Sequence, residues 1–466
     1  MTPRPGEPHA TRVESDTMGE MTLPAWALWG AQTERARENF DVSPLRIPRG
    51  MIVALGLVKK HAARANAGLG VLDPPLAEAI ETAAAEIIAG TWNDHFPLDV
   101  FQTGSGTSWN MNINEVISNR ANELLGGTRG SKTPIHPNDH VNRGQSSNDV
   151  IPTAIHLANR IALEDLLQAL QVLAESLRKK EQDFSALIKL GRTHLQDAVP
   201  MTLGQEFSGF AVQIEKARDR IRATASDLEE LALGGTALGT GLNCEPGFAQ
   251  TVARTLAEET GLPFRSAPNK FEAIASRDAQ VALMGALNTL ATSLMKIAND
   301  LRLLASGPRG GLGEITLPSL QPGSSIMPGK VNPVIPEMVI QVAAHINGKA
   351  LSVTIAGQHG PLELNMMLPL IAHETLSALE LLTRTCRVFA ERAILGIEAD
   401  PERLSYWIEW SLALVTPLAR EIGYDKAAHL AYQAYREKRM IRDVVRESGF
   451  LTEQQIQDLL DPGKMV

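Results

Sequence analysis

The chain has 466 residues, of which 44% are hydrophobic and 21% are charged, as in ordinary soluble globular proteins. At about 150 residues per domain this length predicts roughly three domains, with a core that needs no disulfide or metal to stabilise it. The net charge of −9 argues against nucleic acid or an anionic membrane surface as the main partner.

Neither a targeting segment nor a membrane span is predicted. The first 15 or so residues have no apolar core and contain several acids, so we interpret them as a flexible tail. The longest uncharged stretch, residues 279–295, contains Gln280 and Asn288, which a lipid-facing helix would bury at a cost. Two cysteines, Cys244 and Cys386, cannot form a disulfide framework. We therefore expect a cytoplasmic protein.

The predicted elements are helices. Alanine and leucine recur while aromatic residues make up 5%, a composition that favours helix over sheet. Between residues 153 and 184, apolar residues recur at steps of three and four, directly after Pro152, which suits a first helical turn. The same periodicity predicts further helices at residues 202–233, 276–306, 333–355 and 370–393. Long helices in succession indicate an all-α fold with an elongated central bundle, and apolar residues on more than one side favour burial in an oligomer.

Polar and glycine-rich joints separate these helices. They lie at residues 104–112, 136–149, 191–200, 234–243 and 307–333. We expect three domains along the chain: residues 1–143, mostly helical; residues 144–364, the long-helix bundle; and residues 365–466, a small helical domain.

The joint at residues 323–333, GSSIMPGKVNP, is the most specific motif. Its glycines give backbone freedom and its prolines limit it, as in a loop that closes over a ligand. Ser324 and Ser325 supply hydroxyls, Lys330 a cation and Asn332 an amide donor. A phosphate cradle is an alternative, although Val331 after Lys330 breaks the Walker spacing. A plain surface loop is the other alternative.

The remaining joints carry similar uncharged donors. His194, in GRTHLQ, would by itself be read as a structural histidine placed just before a helix. What favours function is the company of donors able to clamp the carboxylates of a small polyanion: Ser105, Thr107, Asn110, Ser146, Ser147, Asn148 and Thr193. Asn148 and Asp149 fit a helix cap equally well.

Four strings together resemble one family. TGSGTSWNMNINEVI, HPNDHVNRGQSSND, GRTHLQDAVPMTLGQEF and GSSIMPGKVNP are similar to segments of the fumarase/aspartase superfamily, and within it of class II fumarases. The likeness covers nearly the whole chain from about Glu14. Aspartases typically have Gln, Thr and Asn where this chain has His194, Ser147 and Asp139, so the resemblance is to fumarases.

The resemblance implies a hydro-lyase of the tricarboxylic acid cycle that hydrates fumarate reversibly to (S)-malate through an aci-carboxylate. It casts Ser324 as the base that removes the carbon-bound proton and His194 as the group that activates water. Glu337 matches the carboxylate that orients the histidine, although an acid in a first helical turn is also ordinary. The implied substrate-binding residues are Ser105, Gly106, Thr107, Ser146, Ser147, Asn148, Thr193, Ser325, Lys330 and Asn332.

The resemblance also implies an assembly and a second site. His136, Asn138 and Asp139 match a second anion site of the family. The subunits would form a homotetramer around a 20-helix core, with active sites shared between subunits and with neither cofactor nor metal. Two rival functions remain at this point: an aspartase-type ammonia-lyase, and a non-catalytic helical scaffold.

Overall fold

The computed structural model describes residues 10–466, and the chain divides into two compact units. The first unit comprises Met1–Leu167, Arg220–Asn288 and His345–Leu382. The second comprises Gln168–Asp219, Thr289–Ala344 and Thr383–Val466. The three consecutive domains expected from the sequence divide the chain differently, and they stay a prediction.

The described residues form seventeen α-helices in three groups. Seven lie wholly in the first unit: α1 (Ala31–Asn39), α2 (Arg49–Gly68), α3 (Pro74–Ala89), α4 (Thr107–Leu124), α7 (Ala225–Leu228), α8 (Phe248–Thr260) and α9 (Lys270–Ala275). Five long helices have residues in both units: α5 (Ser147–Asp183), α6 (Leu203–Ala223), α10 (Asp278–Leu304), α11 (Val334–Gly357) and α12 (Leu368–Arg392). Five lie in the second unit: α13 (Pro401–Trp410), α14 (Leu418–Ile422), α15 (Tyr424–Glu437), α16 (Ile441–Ser448) and α17 (Glu453–Leu459).

The strands are short and pair in twos. Antiparallel pairs join β1 (Thr11–Asp16) to β2 (Gly19–Pro24), β3 (Ile188–Thr193) to β4 (Gln196–Thr202), and β7 (Ile315–Thr316) to β8 (Glu398–Ala399). The pair of β5 (Glu230–Leu231) and β6 (Arg265–Ser266) is parallel. Because these pairs are minor beside the helices, the predicted all-α class is confirmed.

Each unit has its own hydrophobic core. In the first, α2 and α3 approach closely because glycine leaves room between them: a Cβ at Gly56 would lie 2.8 Å from Ile88 Cγ1. Trp109 of α4 is fully buried in the same core. In the second unit, the short C-terminal helices enclose a separate cluster around Leu418, Val445 and Leu460.

The long helices agree with the predicted periodicity at most ends. Helices α10, α11 and α12 begin and end within two residues of the predicted limits. Helix α10 is also long and apolar enough to cross a membrane by length and composition alone, a test that the core helix of a soluble protein passes equally.

Two predicted helix ends are wrong. Helix α5 starts at Ser147 rather than after Pro152, which lies inside it. Side-chain hydrogen bonds at residues 146–149 cap the helix there, so it starts before the proline. Pro152 has no N–H, so the Asn148 carbonyl receives no helical hydrogen bond from it. Helix α6 ends at Ala223, ten residues before the predicted end, because the chain turns there toward the short parallel pair of β5 and β6.

The predicted N-terminal tail is too long. Residues 1–9 lie outside the described residues, but residues 11–16 form β1. Arg12 holds this strand in place, since its guanidinium bonds Glu14 and the backbone carbonyls of Pro24, Ala27 and Trp29. A side chain with five donors satisfied by fixed acceptors orders the segment.

Candidate active site

His194 occupies the tip of a β-hairpin, not the approach to a helix that the sequence suggested. Thr193 of β3 pairs with Gln196 of β4, so His194 and Leu195 form a two-residue turn. Both have positive φ, 56° and 59°, and both are exposed. Such a turn fits the twist of a hairpin but normally uses Asn and Gly, so His and Leu there store backbone strain. Strain of this kind concentrates at functional sites.

Buried charges fix the base of this hairpin. Glu314 is fully buried; its carboxylate accepts a hydrogen bond from Arg192 Nη1 at 2.5 Å and forms an ion pair with Lys189 Nζ at 3.0 Å. Lys189 also bonds Glu206 at the start of α6, at 2.6 Å. Two cations and two carboxylates thus compensate one another, which buried charges require. The rigid base connects the hairpin to the segment that leads into the 323–333 loop.

The 323–333 loop, hereafter the Ser loop, folds around the hydroxyl of Ser324. The backbone N–H groups of Ile326 and Met327 donate to Ser324 Oγ at 3.3 and 3.0 Å. Two amide donors directed at one oxygen stabilise negative charge on it. Ser324 is half-buried, whereas Ser325 and Lys330 are exposed.

The neck of the Ser loop is closed by its ends. Gly323 N–H donates to the Lys330 carbonyl at 2.9 Å, and Asn332 Nδ2 donates to the Gly323 carbonyl at 2.6 Å. A Cβ on Gly323 would lie 2.4 Å from the Lys330 oxygen, so only glycine fits. Asn332 therefore shapes the loop in addition to offering an amide. Glu337 follows in the first turn of α11.

In the first unit, the 104–107 segment presents hydroxyls ahead of α4. Ser105 Oγ and Thr107 Oγ1 are joined by a hydrogen bond of 2.8 Å in which either hydroxyl can be the donor. Gly104 permits close approach of backbones, since a Cβ would lie 2.0 Å from the Met366 carbonyl. Gly106 has φ 70°, which glycine adopts without penalty, and it directly precedes the helix. The start of α4 is thus a polar turn at a helix N-terminus.

The start of α5 resolves the alternative of cap or function for Asp149. Ser146 N–H donates to Asp149 Oδ1, and the Asn148 N–H donates to Ser146 Oγ, which together cap the helix. The other oxygen of Asp149 accepts from Gly234 N–H and Thr236 N–H. Asp149 is fully buried, and burial raises its pKa to about 6. Its role in the structure is to hold the helix start against the 234–243 joint.

A network that the sequence analysis missed links these starts. Asn110 Nδ2 donates to Ser147 Oγ at 3.0 Å and to Asn142 Oδ1 at 3.2 Å. Lys59 Nζ donates to Asn142 Oδ1 and to Gln145 Oε1, each at 2.9 Å. Lys59 is fully buried; burial lowers its pKa to about 7, an effect that the charge of Asp149 opposes. A lysine on the buried face of α2, among Leu55, Val58 and Ala62, was the available signal.

The three residues of the expected second anion site lie on one turn. His136 caps a π-helical turn, Pro137–Val141, because its Nδ1 accepts from the N–H groups of Asn138 and Asp139 at 3.2 and 3.3 Å. The pKa of His136 is lowered by burial, and in the neutral ring the proton is on Nε2. Asn138 and Asp139 are exposed, so the turn offers Nε2–H and an amide to solvent beside one carboxylate.

The predicted site residues divide between the two units. The first unit joins Asn110 to Ser147, Ser105 to Thr107, and Ser146 to Asn148 by hydrogen bonds. The second unit carries Thr193 and His194 on the hairpin and Ser324, Ser325, Lys330 and Asn332 on the Ser loop, followed by Glu337.

Family models match most of the chain. A model described as "Lyase" matches residues 19–348, and one described as "Fumarase C C-terminus" matches residues 414–466. Among curated relatives, Fumarate hydratase class II 2 of Bradyrhizobium diazoefficiens is 51% identical over 98% of this chain and 97% of that protein. Human mitochondrial fumarate hydratase is 51% identical over 98% of this chain and 90% of that protein.

A solved structure matches the fold equally well. The crystal structure of recombinant class II fumarase from Schistosoma mansoni superposes with a TM-score of 0.94 at 41% identity, covering 98% of this chain and 99% of that one. Identity at this level over the full length carries the fold and the reaction. The chain therefore belongs to the class II fumarate hydratase family, and it is a hydro-lyase that hydrates fumarate to malate.

Proposed function

We propose that this chain interconverts fumarate and (S)-malate with Ser324 as the base toward carbon and His194 as the acid or base toward water. The observation that carries the proposal is the pair of amide N–H groups directed at Ser324 Oγ. A serine hydroxyl is a weak base at its ordinary pKa, so an alkoxide must be stabilised by its surroundings. Two backbone donors begin that stabilisation.

In the dehydration direction, Ser324 takes the proton from the carbon next to one carboxylate. The electron pair of the broken C–H bond moves into that carboxylate, which becomes an aci-carboxylate with two negative charges. The C–O bond then breaks, the double bond forms, and His194 protonates the departing hydroxide to give water. Donors that bind the doubly charged group more strongly than the ground state lower the barrier, and one such donor supplies roughly 3–4 kcal/mol.

Lys330 and Asn332 are the proposed donors to the aci-carboxylate. Lys330 is exposed on the Ser loop and is free to turn toward a ligand, and Asn332 at the loop neck keeps a second Nδ2 hydrogen beyond its bond to Gly323. Ser325 supplies a further hydroxyl. Glu337 would orient the His194 ring by accepting a hydrogen bond from one ring nitrogen. This bond would fix the tautomer in which the other nitrogen faces water.

The remaining proposed contacts bind the dicarboxylate without taking part in proton transfer. They are uncharged groups, and all except Thr193, which lies on the hairpin, are at helix starts, where the backbone dipole adds positive potential. The set comprises Ser105, Gly106, Thr107, Ser146, Ser147, Asn148 and Thr193. His136, Asn138 and Asp139 would form a second anion site, weaker because the Asp139 carboxylate repels an anion.

We further propose a homotetramer around a 20-helix core, with Ser147, His194 and Ser324 of each site supplied by three subunits. Apolar side chains exposed on the long helices support it: on α11, Leu351 is 62% and Ile355 is 47% exposed, one turn apart on the same face. A subunit that leaves such a stripe in water gains by covering it with another copy.

We propose a cytoplasmic location and keep the three-domain division as a proposal. The two cysteines support a reducing compartment, since both are free thiols and Cys386 is buried. Domain limits near residues 144 and 364 are checked by limited proteolysis, which should cut at those joints first.

Substituting His194 tests the proposed chemistry. His194→Gln should lose about 10²–10⁴-fold of malate dehydration, because glutamine cannot exchange a proton with water, while dicarboxylate inhibitors still bind. The measurement is kcat and inhibitor affinity from pH 6 to 9, with L-aspartate as a parallel substrate. Retained kcat in the variant would remove His194 from the mechanism, and a wild-type preference for aspartate over malate would contradict the hydratase function.

A further inference from the structure

Lys59 has no place in the mechanism above, yet it is a fully buried cation beside the proposed substrate-binding residues. Helix α2 buries it, and its ammonium donates to two side-chain amide oxygens, Asn142 Oδ1 and Gln145 Oε1, both at 2.9 Å. Burying a lysine is costly unless its donors are satisfied. The two amides and the nearby Asp149 charge compensate that cost.

An ammonium donates hydrogen bonds and accepts none. Both amides must therefore turn their oxygens toward Lys59 and their nitrogens away from it. The nitrogens are used accordingly: Asn142 Nδ2 donates to the Gln145 carbonyl at 3.1 Å, and Gln145 Nε2 donates to the Val141 carbonyl at 3.1 Å. The cation thus fixes the orientation of two groups that could otherwise flip.

The oriented Asn142 fixes Asn110 in turn. Asn142 Oδ1 also accepts from Asn110 Nδ2 and Asn114 Nδ2, each at 3.2 Å. Had Asn142 flipped, its own N–H groups would face these donors and repel them. Asn110 Nδ2 uses its other hydrogen to donate to Ser147 Oγ at 3.0 Å.

The orientation of Asn110 determines the direction in which the Ser147 hydroxyl can donate a hydrogen bond. An oxygen that already accepts a hydrogen bond from Asn110 turns its own hydrogen elsewhere, where it can donate to a ligand carboxylate. We infer that Lys59 is a positioning residue that, through Asn142 and Asn110, holds Ser147 as a donor to the substrate. This inference rests on the proposed role of Ser147 in substrate binding.

A double-mutant cycle tests the relay. Lys59→Met keeps the length of the side chain but removes its donors, and Ser147→Ala removes the hydroxyl. Losing a hydrogen bond to a charged ligand should raise KM for malate about tenfold or more in each single variant. Because both changes remove one interaction, the double variant should show no larger KM than the worse single variant.

The split between KM and kcat separates positioning from folding. A merely structural lysine would lower the amount of active enzyme, and so the apparent kcat, without changing KM. Lys180→Met is the matched control, since Lys180 is also buried but donates to the Ile397 carbonyl in the second unit. We expect the control to keep the wild-type KM.

Two further variants keep the relay testable if Lys59→Met does not fold. Asn142→Leu removes the oxygen shared by Lys59 and Asn110. Gln145→Met removes the other acceptor of Lys59 and the donation to the Val141 carbonyl, but it leaves the Asn142 oxygen in place. We expect a raised KM for Asn142→Leu and a much smaller change for Gln145→Met. Equal changes in the two variants would overturn the relay through Asn142.

The outcomes also distinguish this inference from the proposed function. A wild-type KM in Ser147→Ala would overturn the binding role of Ser147 and the inference with it. A raised KM in Ser147→Ala together with a wild-type KM in Lys59→Met would overturn the inference alone. Multiplied KM effects in the double variant would show that Lys59 acts elsewhere and would likewise overturn it.

Discussion

The network around Asn110 and the Ser loop are built in opposite ways. In the first unit, Asn110 is 1% exposed and its amide is held by side chains that a buried ammonium orients. In the second unit, the Ser loop is held by its own backbone and by Asn332, while Ser325 and Lys330 are exposed. One region is arranged in advance by burial, and the other presents its reactive groups at a surface.

The difference follows from what each region is proposed to do. Groups that bind two carboxylates equally in ground and transition states gain from being fixed before the ligand arrives. Groups that must exclude water during proton transfer need a cover, and an exposed loop and an exposed hairpin tip lack one within a single subunit's described surfaces. Sites completed by neighbouring subunits would supply it.

The largest expected effect is at Ser324. Ser324→Ala removes the proposed base and should lower kcat by about 10²–10⁴-fold while the assembly stays intact. Ser319→Ala, in the exposed segment before the loop, is the control and should keep the wild-type rate. Fumarate formation from malate is followed by ultraviolet absorbance, and a near-normal rate in Ser324→Ala would exclude the serine from the chemistry.

A substitution in the charged base of the hairpin should lower the stability of the protein. Glu314→Gln removes the carboxylate that Arg192 bonds and leaves the buried Lys189 with Glu206 as its one remaining carboxylate partner, which should lower the free energy of unfolding by about 3 kcal/mol. Denaturant unfolding measures it, and Glu398→Gln, on exposed β8, serves as the control. A loss below 1 kcal/mol would mean that the base of the hairpin is not held by these charges.

A substitution at the hairpin tip should raise the free energy of unfolding, and by less than the change at the base lowers it. Leu195 holds a positive φ that glycine adopts freely, so Leu195→Gly should raise the free energy of unfolding by about 1 kcal/mol. Val199→Gly, at an exposed position of β4, should instead lower it, because glycine weakens a strand. A destabilised Leu195→Gly protein would contradict the strain assigned to the turn.

Helix periodicity carried most of the fold prediction. Residues 276–306 repeat apolar side chains so regularly that α10 follows within two residues at each end. The hairpin at residues 188–202 was missed because Gly191 and Pro200 read as joint residues and no strict alternation marks its strands. Its base is held instead by the pairing of Lys189 and Arg192 with Glu314, which is distant from both in sequence.

The candidate site was predictable where motifs carry it. Ser324 and His194 lie in strings specific enough to identify the family, but the amides that face Ser324 Oγ depend on the loop's three-dimensional path. Lys59 lies in no motif; only its position on an apolar helical face distinguishes it from the half-buried Lys60 and the exposed Arg64 of the same helix. Hydrogen bonds between buried polar groups depend on the tertiary structure, so they cannot be read from a single sequence.

Mixing two inactive variants tests most directly whether sites are shared between subunits. His194→Asn and Ser324→Ala proteins, combined in equal amounts, dissociated and reassociated, would randomly supply each residue to each site. If the two residues come from different subunits, each is intact at half of the sites, so about one quarter of the wild-type activity should return. No recovered activity in mixed tetramers that are shown to form would place both residues on one subunit and contradict the shared site.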